Sequence, residues 1–197
     1  MNKKSVVDLF MVGAGLVLSG CTKKTDEAAK QSQQPANNQG SASVLPSAVA
    51  GIRWTMPPRW ISQPERPMRV ATYSVASVNK DLEAGECAVF YFGSGQGGNV
   101  NDNLNRWISQ FDKGGTHELK DREVSGMKVK LIEIAGTYLA PSGPMMESQG
   151  KKENYRLLGA IISAPEGSVF FKFTGPAKTI EASSQEFDQL VSSVTKN

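Results

Sequence analysis

The sequence predicts an α+β domain in which a mostly antiparallel sheet is covered by helices. Three observations lead there. The apolar runs "YRLLGAIIS" and "SVFFKFTG" are separated only by "APEG", which suits a hairpin and is too short for a parallel crossover. Two other segments space their apolar residues at the period of an α-helix. The strands also carry large apolar groups on both faces, Leu157 and Ile161 on one and Leu158 and Ile162 on the other, so each face needs a covering layer.

Taken in order along the chain, strands are expected over residues 52–56, 69–75, 87–92, 127–138, 155–163 and 168–174, from alternation and apolar runs bounded by Gly, Pro, Asn and Ser. A first helix follows the third strand, because Val100, Leu104, Trp107, Ile108 and Phe111 fall on one helical face. Asn99, with Asp102 three residues on, is its expected N-cap. The segment 141–154 has no helical period and reads as the loop of a long hairpin. After the last strand, Pro176 can open a second helix whose inner side is Ile180, Phe187, Leu190, Val191 and Val194.

Ahead of the domain, "MNKKSVVDLFMVGAGLVLSGC" sets Lys3 and Lys4 before an uncharged apolar run from Leu9 to Leu18, the pattern of a secretory signal with a stretch too short to span a bilayer. Its end, Leu18-Ser19-Gly20-Cys21, resembles the lipobox of bacterial lipoproteins. That resemblance implies cleavage after residue 20 and a lipid on Cys21, with residues 1–20 removed as the signal. Thr22 stands where an Asp would resemble an inner-membrane retention signal, which favours the periplasmic face of the outer membrane. Residues 21–50, "CTKKTDEAAKQSQQPANNQGSASVLPSAVA", lack aromatics and have few large apolar residues, so they read as a disordered tether. Residues 51–197 then form a single globular domain, long enough for one hydrophobic core.

Charge and cysteine content exclude several classes. Lys and Arg number 22 against 19 Asp and Glu; without Lys3, Lys4 and Asp8 of the signal the balance is 20 against 18. A nearly balanced surface implies no nucleic-acid partner. Cys21 and Cys87 are the only cysteines, and lipidation of the first leaves no intrachain disulfide.

The order of elements resembles the PsbP-like fold. The features that match are "WTMPPRW" at the start of the domain, the mid-chain helix, the pair "YRLLGAII" and "SVFFKFTGP", and the closing helix "FDQLVSSV". The stretch "FYFGSGQGG" with "NLNRWISQF" further resembles bacterial lipoproteins of unknown function. The resemblance implies a binding or accessory module in the cell envelope, held to the membrane by its lipid and paired with a protein partner there.

Several residue patterns suggest chemistry. Gly93, Gly95 and Gly98 match G-x-G-x-x-G, and Glu118 lies twenty residues beyond. A dinucleotide site also needs a parallel strand ending at that acid, and "DKGGTH" before Glu118 reads as a turn. Gly98 is followed by Asn99 and Val100, not by Lys and Ser or Thr, so the phosphate-loop pattern fails too. The glycines are expected to turn a strand into the first helix and to bind no nucleotide. His117, the only histidine, reads as a solvated loop residue. Cys87 reads as a small packed group, and Trp54 and Trp60 as core anchors. No cofactor, metal or catalytic residue is implied. The segment 141–154 is the candidate partner-binding loop, through Met145, Met146, Lys151 and Lys152, because adaptable Met side chains sit beside cations in a long connection. Two further readings stay open: a small-ligand carrier with a pocket between helix and sheet, and an enzyme built around the glycine loop and His117.

Overall fold

The computed structural model describes residues 47–79, 83–139 and 150–197, which belong to one unit, Ser41–Asn197. The proposed signal, Cys21, most of the tether, Met145 and Met146 lie outside the described residues.

The described elements are β1 (Ala48–Val49), β2 (Ile52–Arg53), β3 (Ile61–Ser62), β4 (Ala71–Val75), β5 (Gly85–Tyr91), α1 (Val100–Ile108), β6 (Thr116–Val124), β7 (Met127–Leu139), β8 (Lys151–Ala164), β9 (Gly167–Pro176), α2 (Ala177–Ala182), α3 (Ser184–Ser192) and β10 (Thr195–Lys196). Seven strands form one sheet in the order β3-β4-β5-β9-β8-β7-β6, and every neighbouring pair is antiparallel. The α+β architecture expected from the sequence is therefore present. Both expected hairpins form: β7 pairs with β8 and β8 with β9.

Period-2 alternation divides the side chains between two cores. On one face, Val169, Phe171 and Phe173 of β9 pack with Leu158, Ala160 and Ile162 of β8 beneath α2, α3 and the N-terminal segment. Trp54 and Trp60 are buried there, edge-on to Phe171 at 5.2 Å and tilted against Phe173 at 5.0 Å, so they are core anchors. On the other face, Leu104, Trp107 and Phe111 cover Ile132, Ile134, Leu157, Ile161 and Phe170. This seat for α1 depends on Gly159: a Cβ there would stand 2.4 Å from Trp107 Cζ3 and 2.7 Å from Ile132 Cγ2.

The glycine loop acts as the hinge between β5 and α1. Gly97 has φ 89°, and a Cβ on it would meet Phe92 at 2.9 Å, so only glycine fits without displacement. Asn99 Oδ1 accepts the Asp102 N–H at 2.8 Å, closing the first turn as its sequence position predicts. The buried Asn103 amide donates to Gly97 O at 2.7 Å and Asn99 O at 2.9 Å, which pins loop to helix.

Five expectations need correction. Residues 151–154, expected inside the loop 141–154, open the strand β8, so Lys151 and Lys152 are strand residues paired with Leu139 and Tyr138 of β7. The fold starts before Gly51: Ala48 and Val49 at the end of the expected tether pair with Arg53 and Ile52 through a turn at Ala50 and Gly51, both with positive φ. Residues 116–124 form the strand β6; its side chains are almost all exposed because it is the sheet's edge, so it lacks an apolar face to betray it. His117 consequently lies on this exposed strand and not in a loop. The single closing helix is two, α2 and α3, since Ser183 leaves helical geometry at φ −108°, ψ 8° and lets Ile180 and Phe187 pack separately into the same core.

Candidate functional site

Among the described residues, helix α1 covers only part of its sheet face, and beside it no other element lies over the sheet. The exposed floor is built from residues of β5, β8 and β9, with Lys172 at its centre. Period-2 alternation sets Phe170, Lys172 and Thr174 of β9 on this face. The cross-strand neighbours of Lys172 are Ala88 and Gly159, both small, so the lysine stands in a hollow. Two adjoining cavities share Arg69, Phe90 and Lys172 as walls and so form one cleft. The larger, of about 450 Å³, is open toward Arg66, Glu83, Glu86, Tyr138, Lys152 and Tyr155. The smaller, of about 270 Å³, runs under α1 against Phe92, Arg106, Trp107, Gln110 and Phe170.

The polar groups of this cleft are ordered by mutual contacts. Lys172 Nζ donates to Gln110 Oε1 at 2.5 Å and to Tyr138 Oη at 3.2 Å, and lies 5.4 Å from the centre of the Tyr138 ring. Both carboxylates of the larger cavity are already engaged. Glu86 accepts from Arg66 Nη1 and Arg69 Nη1, each at 2.7 Å. Glu83 accepts from Lys152 Nζ at 2.6 Å and from the Tyr155 hydroxyl. Tyr138 and Tyr155 stack with their ring centres 5.7 Å apart, and Arg69 lies over Phe90 at 5.7 Å.

Burial and the neighbouring Arg69 bring the Lys172 amine down from 10.5 to about 8, against an opposing pull from Glu86. Burial pushes the Tyr138 phenol up to about 12, and the Tyr155 phenol is raised by burial and by its bond to Glu83. Lys152 and Tyr155 hold the Glu83 carboxyl below its usual range. Thr174 Oγ1, also on the cleft wall, is buried without a hydrogen-bond partner.

The residues singled out from the sequence are placed as follows. Lys152 stands at the cleft rim, over the Tyr155 ring at 5.5 Å, whereas Lys151 on the other side of the strand pairs with Asp112 at 2.8 Å. His117 and Glu118 are exposed on β6, at the opposite end of the sheet order from β3 and four strands away from β5, and Glu118 pairs with Lys120 at 3.1 Å. No parallel neighbour brings Glu118 to the glycines. Cys87 is fully buried on the other face of the sheet, where burial and Glu86 raise its thiol well above the usual range. Among the described residues no group of three His, Cys, Asp or Glu side chains could hold a metal ion.

The sequence reading missed Lys172, Arg69, Glu86, Tyr138 and Tyr155. One signal was visible: "FFKFT" interrupts a strand with apolar residues on both faces by a single lysine, and a buried charge usually has a reason. The other residues come together only through long-range strand pairing.

A second, apolar groove of about 220 Å³ lies on the opposite face between α3 and strands β6, β7 and β8, lined in part by Leu131, Leu158, Phe187 and Val191.

No family model matches the chain, and no curated protein matches it. Solved structures similar to it in fold include the following two. One is the solution structure of cyanobacterial PsbP (CyanoP) from Synechocystis sp. PCC 6803, with 15% identity and a TM-score of 0.47 over 83% of this chain and 100% of that one. The other is PA94 from Pseudomonas aeruginosa, a protein of unknown function, with 10% identity and a TM-score of 0.41 over 64% of this chain and 81% of that one. Both likenesses are distant, and neither assigns an activity to this chain.

Proposed function

We propose that this protein is a lipid-anchored envelope lipoprotein with a PsbP-like domain that acts as a non-catalytic binding module, its site being the cleft over Lys172. The single observation that supports a binding role is the convergence of Lys172, Arg69, Glu86, Tyr138 and Tyr155 on one hollow of the sheet. Isolated charges are costly to bury, and this domain keeps one at the floor of an open cleft. Binding is favoured over catalysis by the state of the acids: Glu83 and Glu86 are both tied to cations, so neither is a free general base.

Within that reading, the carrier alternative gains from the cleft, which suits a small ligand better than a flat docking surface. The anchor rests on Leu18-Ser19-Gly20-Cys21. With the lipid on Cys21 and no retention Asp at Thr22, the domain faces the periplasm from the outer membrane.

Two experiments test this function. Membrane fractionation of Cys21→Ala in a lipoprotein-processing host should show release or an unprocessed precursor; unchanged membrane retention contradicts the anchor. Equilibrium dialysis of the full-length protein against an envelope extract, read by mass spectrometry, should enrich a species that Lys172→Met fails to retain. Identical recovery by both proteins contradicts the assignment of the site.

A further inference from the structure

The two lobes of the cleft differ in charge, and the difference restricts what can occupy them. Around the larger lobe, Glu83 and Glu86 are each neutralised by neighbours. Among the described residues, the lobe beneath α1 is lined by Arg69, Arg106 and Lys172 and by no carboxylate. Taken together, the described residues of the walls hold five cations, Arg66, Arg69, Arg106, Lys152 and Lys172, against two carboxylates, Glu83 and Glu86. Arg106 donates to Asn103 Oδ1 at 3.2 Å and has no acid partner among the described residues. Among the described residues, Lys172 likewise donates only to neutral oxygens, those of Gln110 and Tyr138.

The rest of the same lobe is aromatic. Phe90 and Phe92 stack at 6.2 Å, Phe92 meets Phe170 edge-on at 5.7 Å, and Trp107 closes the inner end. An anion alone would satisfy the cations and leave these rings wet. A neutral apolar ligand would cover the rings and leave the ammonium without a counter-charge. Resting on the binding role proposed above, we infer that the lobe takes a small organic carboxylate with an apolar body, its acid group on Lys172 and Arg106 and its body against Phe90, Phe92 and Phe170.

Each part of that pose has a physical role. The carboxylate forms charge-assisted hydrogen bonds with the lysine and the guanidinium, which are about twice as strong as neutral ones. Gln110 accepts from Lys172 through Oε1, which leaves its amide N–H groups as further donors. The volume of about 270 Å³ admits a body of the size of one ring or a short acyl chain. Beyond Lys172, Thr174 Oγ1 is a buried polar atom on the cleft wall that has no hydrogen-bond partner among the described residues.

The charge on Lys172 gives the binding a pH signature. The ionisable groups that line the cleft with it, among the described residues, are Arg66 and Arg69 ahead of β4, Glu83 ahead of β5, Glu86 on β5, Tyr138 on β7, Lys152 and Tyr155 on β8, and Arg106 on α1. Of these, the tyrosines ionise above the lysine, Tyr138 near 12. The amine therefore loses its proton before either tyrosine as pH rises, around 8.

Calorimetric titration of the full-length protein in detergent tests the inference with four probes: phenylacetate, hexanoate, benzyl alcohol and inorganic phosphate. The two acids should bind saturably at pH 7, roughly tenfold more weakly at pH 9, and at least tenfold more weakly to Lys172→Met. Arg106→Gln, a change at the helix surface, should also weaken them and guards against a folding defect in the first variant. Benzyl alcohol and phosphate should bind far more weakly than either acid. Equal binding of benzyl alcohol, preference for phosphate, or no saturable binding of either acid at millimolar concentration overturns the inference. Should dialysis against extract still yield a Lys172-dependent species that is not an acid, the binding role stands and the ligand class is wrong. Should it yield nothing dependent on Lys172, the binding role itself fails.

Discussion

Replacing Lys172 with methionine should make the protein more stable at neutral pH while abolishing binding in the cleft. The amine's fall from 10.5 to about 8 corresponds to a penalty of about 3 kcal/mol for keeping the charge in the folded state at pH 7. Methionine, of similar length and without a charge, removes that penalty. It also removes the hydrogen bonds to Gln110 and Tyr138, which contribute about 1 kcal/mol each. The net expectation is a gain of about 1 kcal/mol, or a few degrees in melting temperature for a domain of this size. The sign with pH is fixed by linkage. Between about 8 and 10.5 the unfolded lysine binds a proton that the folded one has released, so wild-type stability from this group rises with pH through that window. Lys172→Met should lack that rise, and the two proteins should converge and then cross as pH increases. Urea unfolding of both at pH 7, 8 and 9 measures it. A variant less stable at pH 7 by more than about 1 kcal/mol, with parallel pH profiles, would refute the reasoning and make Lys172 a structural residue.

Other outcomes follow from the packing. Gly159→Ala should destabilise by about 1–3 kcal/mol in urea unfolding, because its methyl would meet Trp107 and Ile132 in the core. Gly97→Ala should also lower stability, since it combines φ 89° with a contact to Phe92; an unchanged unfolding midpoint would contradict the hinge assigned to the loop. Cys87 should resist a polar thiol reagent until the protein unfolds, and Cys87→Ala should cost about 1 kcal/mol; rapid labelling of the native protein would contradict its burial. Arg59 and, more weakly, Trp60 hold the Glu186 carboxyl below its ordinary 4.5, so its contribution is present above that value and lost as pH falls through the lower folded one. Glu186→Gln should flatten that part of the acid unfolding curve.

Much of the fold was legible because it follows from local rules. The α1 face, its Asn99 cap and the two hairpins around β8 are written in spacing, turn residues and connection length. Strand β6 was not, because an edge strand exposes nearly all its side chains and "THELKDREV" reads as a polar turn. The break at Ser183 was hidden for a different reason: both short helices share one apolar side and one core. The cleft depends on long-range pairing that sets Ala88 and Gly159 beside Lys172, and on Arg69 reaching Glu86 across strands. Sequence could show a lysine among phenylalanines and could not show the space around it. The Met145 and Met146 loop drew attention by composition, whereas the polar convergence lies largely in strand residues that composition treats as core.

The most direct test follows the Lys172 amine itself by heteronuclear NMR across pH 6 to 11, with and without phenylacetate. The account predicts a midpoint near 8 in the free protein and a rise of that midpoint when the acid binds, since a bound anion favours the charged lysine. A midpoint near 10.5 in the free protein, or one that phenylacetate leaves unmoved, would contradict it.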